Sequence, residues 1–476
     1  MGQCSSWQSF TIPNLPNGTT LSRIWTGKPG EVYVWGRTSQ PGTDVPESAL
    51  YKTSDAGNTW NVILTIPDSD ARGVFGVSAT EIFAAAFRCP SGYAAGCGTG
   101  VGLQMYRSLD GGANWALQAL PGPPLDGAGS IAGKPSDVFI SVCPWGVDCC
   151  YSGGQFMRFD GANWSVQFTD TDPGYIAAFY PSPTLAYIQP NQIFAPTCWG
   201  HWLYTGTWSF VSSGFDFCDV GPAWGMRDAQ GNLTLYTTGT NNFANGAKIW
   251  KFTEDSPGSL SGSWGGKYGY VFSDGDGYLC GSGDGIWGSA PNDVWATGVF
   301  NAGGPCAASP AGEGRVYHFD GTSWSRMTTP FDPLPQIFGI SGTGADDVWV
   351  STASGQVLHY GAHCTLSLRL SYFPNTLSIG YTLGTSQAGS WAGYIVTAGG
   401  VKRLWKRSMA GAINPPFSGT ISVPNFLPAG NVGVVSTDST NAGLACWDFE
   451  VVNTGRAGPT IEELRRIAEM NGLPLP

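Results

Sequence analysis

One short string returns through this chain with little change. Arg158-Phe159-Asp160-Gly161-Ala162-Asn163-Trp164 is nearly repeated by His318-Phe319-Asp320-Gly321-Thr322-Ser323-Trp324. Longer versions stand at Thr53-Ser54-Asp55-Ala56-Gly57-Asn58-Thr59-Trp60 and Ser108-Leu109-Asp110-Gly111-Gly112-Ala113-Asn114-Trp115. Asp-Gly between alternating apolar runs is a hairpin signal, because Gly accepts the positive φ of a tight turn and Asp bonds to the backbone just beyond it. A second element precedes the hairpins: an acid or turn residue, then apolar alternation. It reads Glu31-Val32-Tyr33-Val34, Glu81-Ile82-Phe83-Ala84, Asp137-Val138-Phe139-Ile140, Asp293-Val294-Trp295-Ala296 and Asp347-Val348-Trp349-Val350, and more weakly Leu185-Ala186-Tyr187-Ile188 and Leu233-Thr234-Leu235-Tyr236.

These elements recur about every fifty residues, which makes a repeat architecture. Seven units, each with a small-residue strand, an alternating strand and a hairpin, are expected to form the four-stranded blades of an all-β, seven-bladed β-propeller over residues 1–363. The seventh unit lacks its Trp strand, and Cys4-Ser5-Ser6-Trp7 supplies one, so the N-terminal strand is expected to close the last blade. Cys4 and Cys364 then become disulfide partners.

Past Cys364 the pattern changes. Alternating runs at 365–372, 376–383, 394–397, 420–423, 432–436 and 445–452 predict a small β-sandwich over 364–454. Residues 455–476 read as a linker and an amphipathic helical tail at 459–472. Thr460 and Glu463 form a capping box there, and Ile461, Leu464, Ile467 and Ala468 share one face. Such a face either packs on the sandwich or docks the chain to an assembly partner.

The chain carries 12 Cys, 4 His and a net charge of −11 with only 23 Lys and Arg. Few cations disfavour nucleic acid and anionic membrane surfaces. No apolar run is long enough for a transmembrane segment. Even-numbered Cys in loops, without repeated Cys-x-x-Cys, favour disulfides over zinc and hence an extracellular, cell-surface or periplasmic location. The first residues lack a basic-then-apolar leader, so a signal peptide is not expected in this chain. Expected pairs are Cys89 with Cys97, Cys143 with Cys149 or Cys150, Cys198 with Cys218, and Cys280 with Cys306; Cys446 has no assignment.

The strings at 53–60 and 108–115 resemble the Asp-box of bacterial-neuraminidase-type (BNR-like) repeats, and the Phe-Asp-Gly copies resemble a shortened relative in secreted bacterial propellers. The resemblance covers about residues 4–363. It implies structural roles for Asp55, Trp60, Asp110, Trp115, Asp160, Trp164, Asp320 and Trp324: each Asp holds its turn and each Trp packs between blades. It does not imply an activity, since such propellers serve hydrolases, receptors and assembly factors alike. The sialidase set of three Arg, a Tyr–Glu pair and an acid–base Asp is not matched; Arg23 alone stands at a suitable place.

A propeller's ligand face is built from the outer-to-inner and second-to-third-strand loops. On that face the repeat places Asp126, Asp170, Asp172, Asp216, Asp219, Asp274, Asp276 and Asp284, the aromatic residues Tyr93, Trp145, Trp199, Trp202 and Trp224, and nearly all mid-chain Cys. Stapled loops around an acidic mouth suit recognition. The expected function is an exported, non-enzymatic recognition or structural protein that binds a glycan or another protein, its C-terminal modules attaching it to a larger assembly. The alternative is a glycoside hydrolase using paired Asp on the same face. No cofactor is required; Asp274, Asp276 and Asp284 are candidates for a structural Ca²⁺. His318 and His359 occupy equivalent blade positions and read as structural.

Overall fold

A computed structural model describes residues 2–40, 43–92, 94, 96–122, 124–126, 130–144, 154–169, 185–189, 192–197, 200–212, 219–241, 244–254, 266–273, 278–280, 285–301, 313–329, 331, 333–373, 376–385, 389–409, 413–424, 430–440, 445–455, 457–471 and 473. The chain divides into two compact units, Ser9–His359 and a second made of Met1–Gln8 with Tyr360–Pro476.

In the first unit, antiparallel sheets follow one another along the chain, each built from strands paired in sequence order. Their first strands are Thr20–Lys28, Ser69–Gly76, Ile131–Lys134, Ala186–Gln189, Asp219–Arg227, Ile286–Ala290 and Ile337–Gly344. Each forms a hairpin with a second strand: Glu31–Ser39, Ile82–Arg88, Asp137–Pro144, Gln192–Thr197, Leu233–Asn241, Asp293–Asn301 and Asp347–Thr352. First strands adjacent in sequence are adjacent in space, and the last neighbours the first. Across that seam the Thr26 N–H donates to Ser341 Oγ at 3.1 Å, the two hydroxyls lie 2.9 Å apart, and Ser351 Oγ donates to the Ser22 carbonyl. Sheets arranged radially by their first strands are the β-propeller architecture. The strand Gly2–Thr11 pairs with Gln356–Phe373, the third strand of the seventh sheet.

Packing follows from alternation. Second strands lie between neighbours on both faces, so they read as continuous apolar runs: Val32, Tyr33, Val34 and Trp35 are all fully buried, as are Ile82 to Phe87. Separate apolar clusters fill the inter-sheet spaces; one joins Tyr33, Trp35 and Leu50 of the first sheet to Val74, Ile82 and Ala84 of the second.

One register expectation needs correcting. Leu185-Ala186-Tyr187-Ile188 is not the fourth unit's second strand; it lies on the first strand, and Gln192–Thr197 follows it. The acid that marks five of the second strands is Gln192 here.

The second unit is a sandwich. Gln356–Phe373, Thr376–Thr385 and Ile413–Pro424 form one sheet; Gly400–Met409, Gly389–Thr397, Val432–Thr440 and Ala445–Val452 form the other. Leu368, Leu377 and Ile379 meet Ile395, Val432 and Val434 between them. The helix runs Ile461–Met470. Its capping box forms as the sequence suggests: Thr460 N–H donates to Glu463 Oε2 at 2.8 Å, and Glu463 N–H donates back to Thr460 Oγ1 at 3.2 Å. Leu464 and Ala468 are buried against Val396 and Val435, on the outer face of the second sheet. Of the two expected alternatives, packing on the sandwich is the one that Leu464 and Ala468 show, while Ile461 stays exposed.

Candidate functional site

The Asp turns join third and fourth strands. Asp55 Oδ1 accepts the Thr59 N–H at 2.8 Å and the Thr53 hydroxyl at 2.8 Å, and Oδ2 accepts the Thr59 hydroxyl at 2.7 Å. The same positions repeat at Asp110, with Asn114 N–H and Ser108 Oγ each donating to Oδ1 at 2.8 Å and Asn114 Nδ2 to Oδ2 at 2.7 Å. The shorter turns use two donors: Ala162 and Asn163 N–H to Asp160, both at 2.8 Å, and Thr322 and Ser323 N–H to Asp320 at 2.8 and 2.9 Å. Gly57, Gly112, Gly161 and Gly321 supply φ near +90°. The Asn114 side chain, then its backbone N–H and Ser108, hold Asp110 down at about 2. Such carboxylates stay anionic and are committed to the backbone.

Each Trp that follows packs on the preceding sheet. Trp164 meets Phe83 edge-on at 5.9 Å, and Trp324 meets Tyr236 edge-on at 5.5 Å. Trp115 packs in the cluster of Tyr33 and Ile82, and Trp60 in that of Trp349 and Val357. Trp208, in the fourth sheet, stacks on Phe156 at 3.9 Å.

Where an acid opens the second strand, it meets a Lys, Arg or His side chain on the third. Glu31 pairs with Lys52 at 3.2 Å, Glu81 with Arg107 at 2.6 Å, Asp137 with Arg158 at 2.7 Å, Asp293 with His318 at 2.6 Å and Asp347 with His359 at 2.8 Å. The same side chain also covers the aromatic ring two residues beyond the acid. Lys52 lies 4.8 Å from the Tyr33 centroid and Arg158 5.6 Å from that of Phe139, while His318 stacks on Trp295 at 4.0 Å and His359 on Trp349 at 3.8 Å. In the fifth sheet Thr234 replaces the acid, but Lys251 still covers Tyr236 at 5.6 Å. Burial would raise Asp293 and Asp347; bonds from His318, Ser289 and Trp295, and from His359, Thr343 and Trp349, outweigh it and lower both.

At the opposite ends of the strands, the corner shared by the first two sheets is cross-braced. Asp70, 6 % exposed, pairs with Arg37 at 2.9 Å and Arg72 at 3.3 Å. Arg23 Nε donates to the Arg72 carbonyl at 3.1 Å. Asp68 accepts Gln40 Nε2 at 3.1 Å and faces Arg88 at 3.9 Å. The second-to-third loop of the second sheet is stapled by the disulfide Cys89–Cys97, both residues fully buried, and Asp44 of the neighbouring loop accepts its Ala94 N–H at 2.6 Å.

The first strands enclose a cavity of about 310 Å³ lined by Trp25, Phe75, Tyr187, Trp224 and Trp287 together with Arg72, Ser130 and Ser341. Trp25 lies against Gly76, Trp224 against Gly288 and Trp287 against Gly342, each on the next sheet's first strand. Trp224 therefore stands on a first strand rather than in a ligand-face loop. Trp202 is on a third strand, buried, 4.3 Å from Phe168. Both residues sit inside strand ladders, Trp202 opposite Phe210 and Trp224 opposite Tyr236.

The remaining candidates are placed only in part. Asp126 pairs in register with Cys143 in the third sheet, Asp219 opens the fifth sheet's first strand, and Cys280 pairs with Val299; their side chains lie outside the described residues. So do the side chains of Cys4, Cys364 and Cys446, although the strands carrying Cys4 and Cys364 pair. Tyr93, Trp145, Cys149, Cys150, Asp170, Asp172, Cys198, Trp199, Asp216, Cys218, Asp274, Asp276, Asp284 and Cys306 lie outside the described residues altogether. Among the described residues no cluster of His, Cys, Asp and Glu could hold a metal ion, and no helix is long and apolar enough to cross a membrane. His318 and His359 stand out from the sequence whereas Lys52, Arg107 and Arg158 do not, although Lys52, Arg107, Arg158 and His318 each sit two or three residues before a turn Asp.

No protein-family model matches the chain, and neither does any curated protein sequence. Solved structures similar to it include YCF48 from Cyanidioschyzon merolae, 15% identical, TM-score 0.46, over 75% of this chain and 99% of that one. The WD40 β-propeller domain of Doa1 is 11% identical at TM-score 0.45, over 76% of this chain and 97% of its own. An α-L-arabinanase of Penicillium chrysogenum complexed with arabinobiose is 11% identical at TM-score 0.38, over 76% and 98%.

Proposed function

We propose that this chain is an exported recognition protein whose first unit is a closed seven-bladed propeller, completed by the N-terminal strand, that binds a glycan or a protein without turning it over. The observation that carries the reading is the state of the carboxylates among the described residues. A glycosidase needs one acid with a raised pKa facing a second carboxylate. Here the acids that open second strands are matched to Lys, Arg or His, Asp70 is matched to two arginines, and the turn Asp are lowered by backbone and side-chain donors. These groups fix loops and sheets, and the lowered turn Asp stay anionic. Support for closure comes from the Thr26–Ser341 and Ser22–Ser351 bonds and from the pairing of Gly2–Thr11 with Gln356–Phe373.

The ligand face in this reading is the end of the sheets carrying Cys89–Cys97, with the sequence candidates Asp126, Asp170, Asp172, Asp216, Asp219, Asp274, Asp276 and Asp284 around it. Ca²⁺ at Asp274, Asp276 and Asp284 belongs to the same proposal, and a chelator-sensitive melting temperature is its check. A glycan array and a polysaccharide hydrolysis screen, run on the wild type and on Asp274→Ala/Asp276→Ala, test the function. Binding without product, lost in the variant, is expected. Turnover of any polysaccharide that the double variant abolishes would replace recognition with hydrolysis.

A further inference from the structure

Charge is unevenly divided between the two units. Residues 360–476 hold eight Lys and Arg against six Asp and Glu, so they are net positive in a chain of net charge −11. Half of those cations lie in one strand, as Lys402, Arg403, Lys406 and Arg407 of Gly400–Met409. That strand ends its sheet: it pairs with Gly389–Thr397 on one side, and among the described residues no strand pairs with the other. Lys402, Arg403 and Lys406 are exposed, and none of them has an ion-pair partner among the described residues, unlike the third-strand cations of the propeller.

The register distributes the cations along both sides of this edge. Arg403 stands opposite Tyr394 and Lys406 opposite Ala392; Tyr394 belongs to the helix-covered face. Lys402 stands opposite Ile395, whose side chain enters the space between the two sheets. Leu404 and Trp405 anchor the strand to that core, so the edge is held in place while its charges stay outside. An open edge offers unpaired N–H and C=O groups along its length, and strand addition uses them for affinity and alternate side chains for selection. Opposite charges directly across a strand pair attract.

We infer that Gly400–Met409 is an acceptor edge for an extended acidic peptide segment of a partner protein, which adds as a further strand with Asp or Glu beside Lys402, Arg403 and Lys406. This site is separate from the propeller face and stands whether or not that face binds a glycan.

The test uses the full chain and a labelled peptide alternating Glu and Val, read by fluorescence anisotropy at low and at physiological ionic strength. Binding is expected, weakened roughly tenfold or more by Lys402→Glu/Lys406→Glu, which in turn gains binding to the peptide alternating Lys and Val. The wild type should also lose roughly tenfold or more toward the acidic peptide N-methylated at alternate amides, which keeps its charge but cannot pair. That comparison needs no variant to fold. Equal binding of the methylated peptide would reduce the site to a nonspecific polyanion contact and overturn the inference. Binding of phosphatidylglycerol vesicles or heparin with no peptide binding would do the same. So would a double variant that only aggregates more while the wild type binds no probe, since the cations would then serve to block edge-to-edge association.

Discussion

A Cβ placed on Gly76 would stand 2.1 Å from the ring of Trp25 in the neighbouring sheet. No real Cβ tolerates that approach, and both atoms sit on first strands, where backbone shifts are shared with two neighbours. Gly76→Ala should therefore lower stability by about 1–3 kcal/mol, the usual cost of overpacking. Gly344, whose Cβ would meet nothing within 4 Å, is the control. Thermal melts that moved equally for the two variants would contradict the lock.

Asp347 and His359 form an enclosed pair, with side-chain exposures of 14% and 10%. Asp347 also accepts the Trp349 Nε1–H at 2.7 Å. Substituting either partner should strand the other, so a double-mutant cycle of Asp347→Ala and His359→Ala should give a coupling of about 1–3 kcal/mol. Additive losses in denaturant titrations would mean that the pair carries no joint stabilisation.

Acid should act on the turns. Asp110 is held at about 2, below its ordinary value, so its contribution is full above the unfolded value and lost as pH falls toward 2. Melting temperature measured from pH 5 down to pH 2, values set about the carboxylate range, should fall. Asp110→Asn should melt lower than wild type at the upper end and approach it at the lower. Parallel curves would show that the turn is indifferent to this charge.

Cys89 and Cys97 close a short loop, with a sequence separation of 8. Cys89→Ser/Cys97→Ser should cost about 2–3 kcal/mol in the chain-entropy account, and reductant should shift the wild type but leave the variant unmoved at this site. Reductive labelling that found both thiols accessible before treatment would contradict the bridge.

The hairpins and the helix cap were readable because their causes are local. Asp110 and Asn114 are four residues apart, and so are Thr460 and Leu464, whose N–H closes the first helical turn. What escaped were pairings across repeats. Nothing near Gly76 announces Trp25, and the aromatic–Gly dipeptides Phe75-Gly76, Trp224-Gly225 and Trp287-Gly288 acquire meaning only when one sheet faces the next. The strand Gly400–Met409 does not stand out in the sequence because its four cations interrupt the apolar alternation that marks a strand. Leu185–Ile188 reads from sequence as a second strand because Gln192 replaces the acid that labels its equivalents. The ligand-face candidates rested on loop length and charge, which place residues at one end of a sheet but do not orient them.

The Thr26–Ser341 contact spans 315 residues of chain. Translation at about 5–20 residues per second leaves Thr26 waiting about 15–60 s for its partner. Leu21, Ile24, Val32 and Val34 share a cluster with Trp349 and Val357. Their apolar flank is thus uncovered throughout synthesis, and the first sheet to leave the ribosome is the last to be finished. A nascent chain of this kind depends on whatever shields that flank in the interval, and truncation before Trp349 should yield aggregates rather than a smaller folded protein.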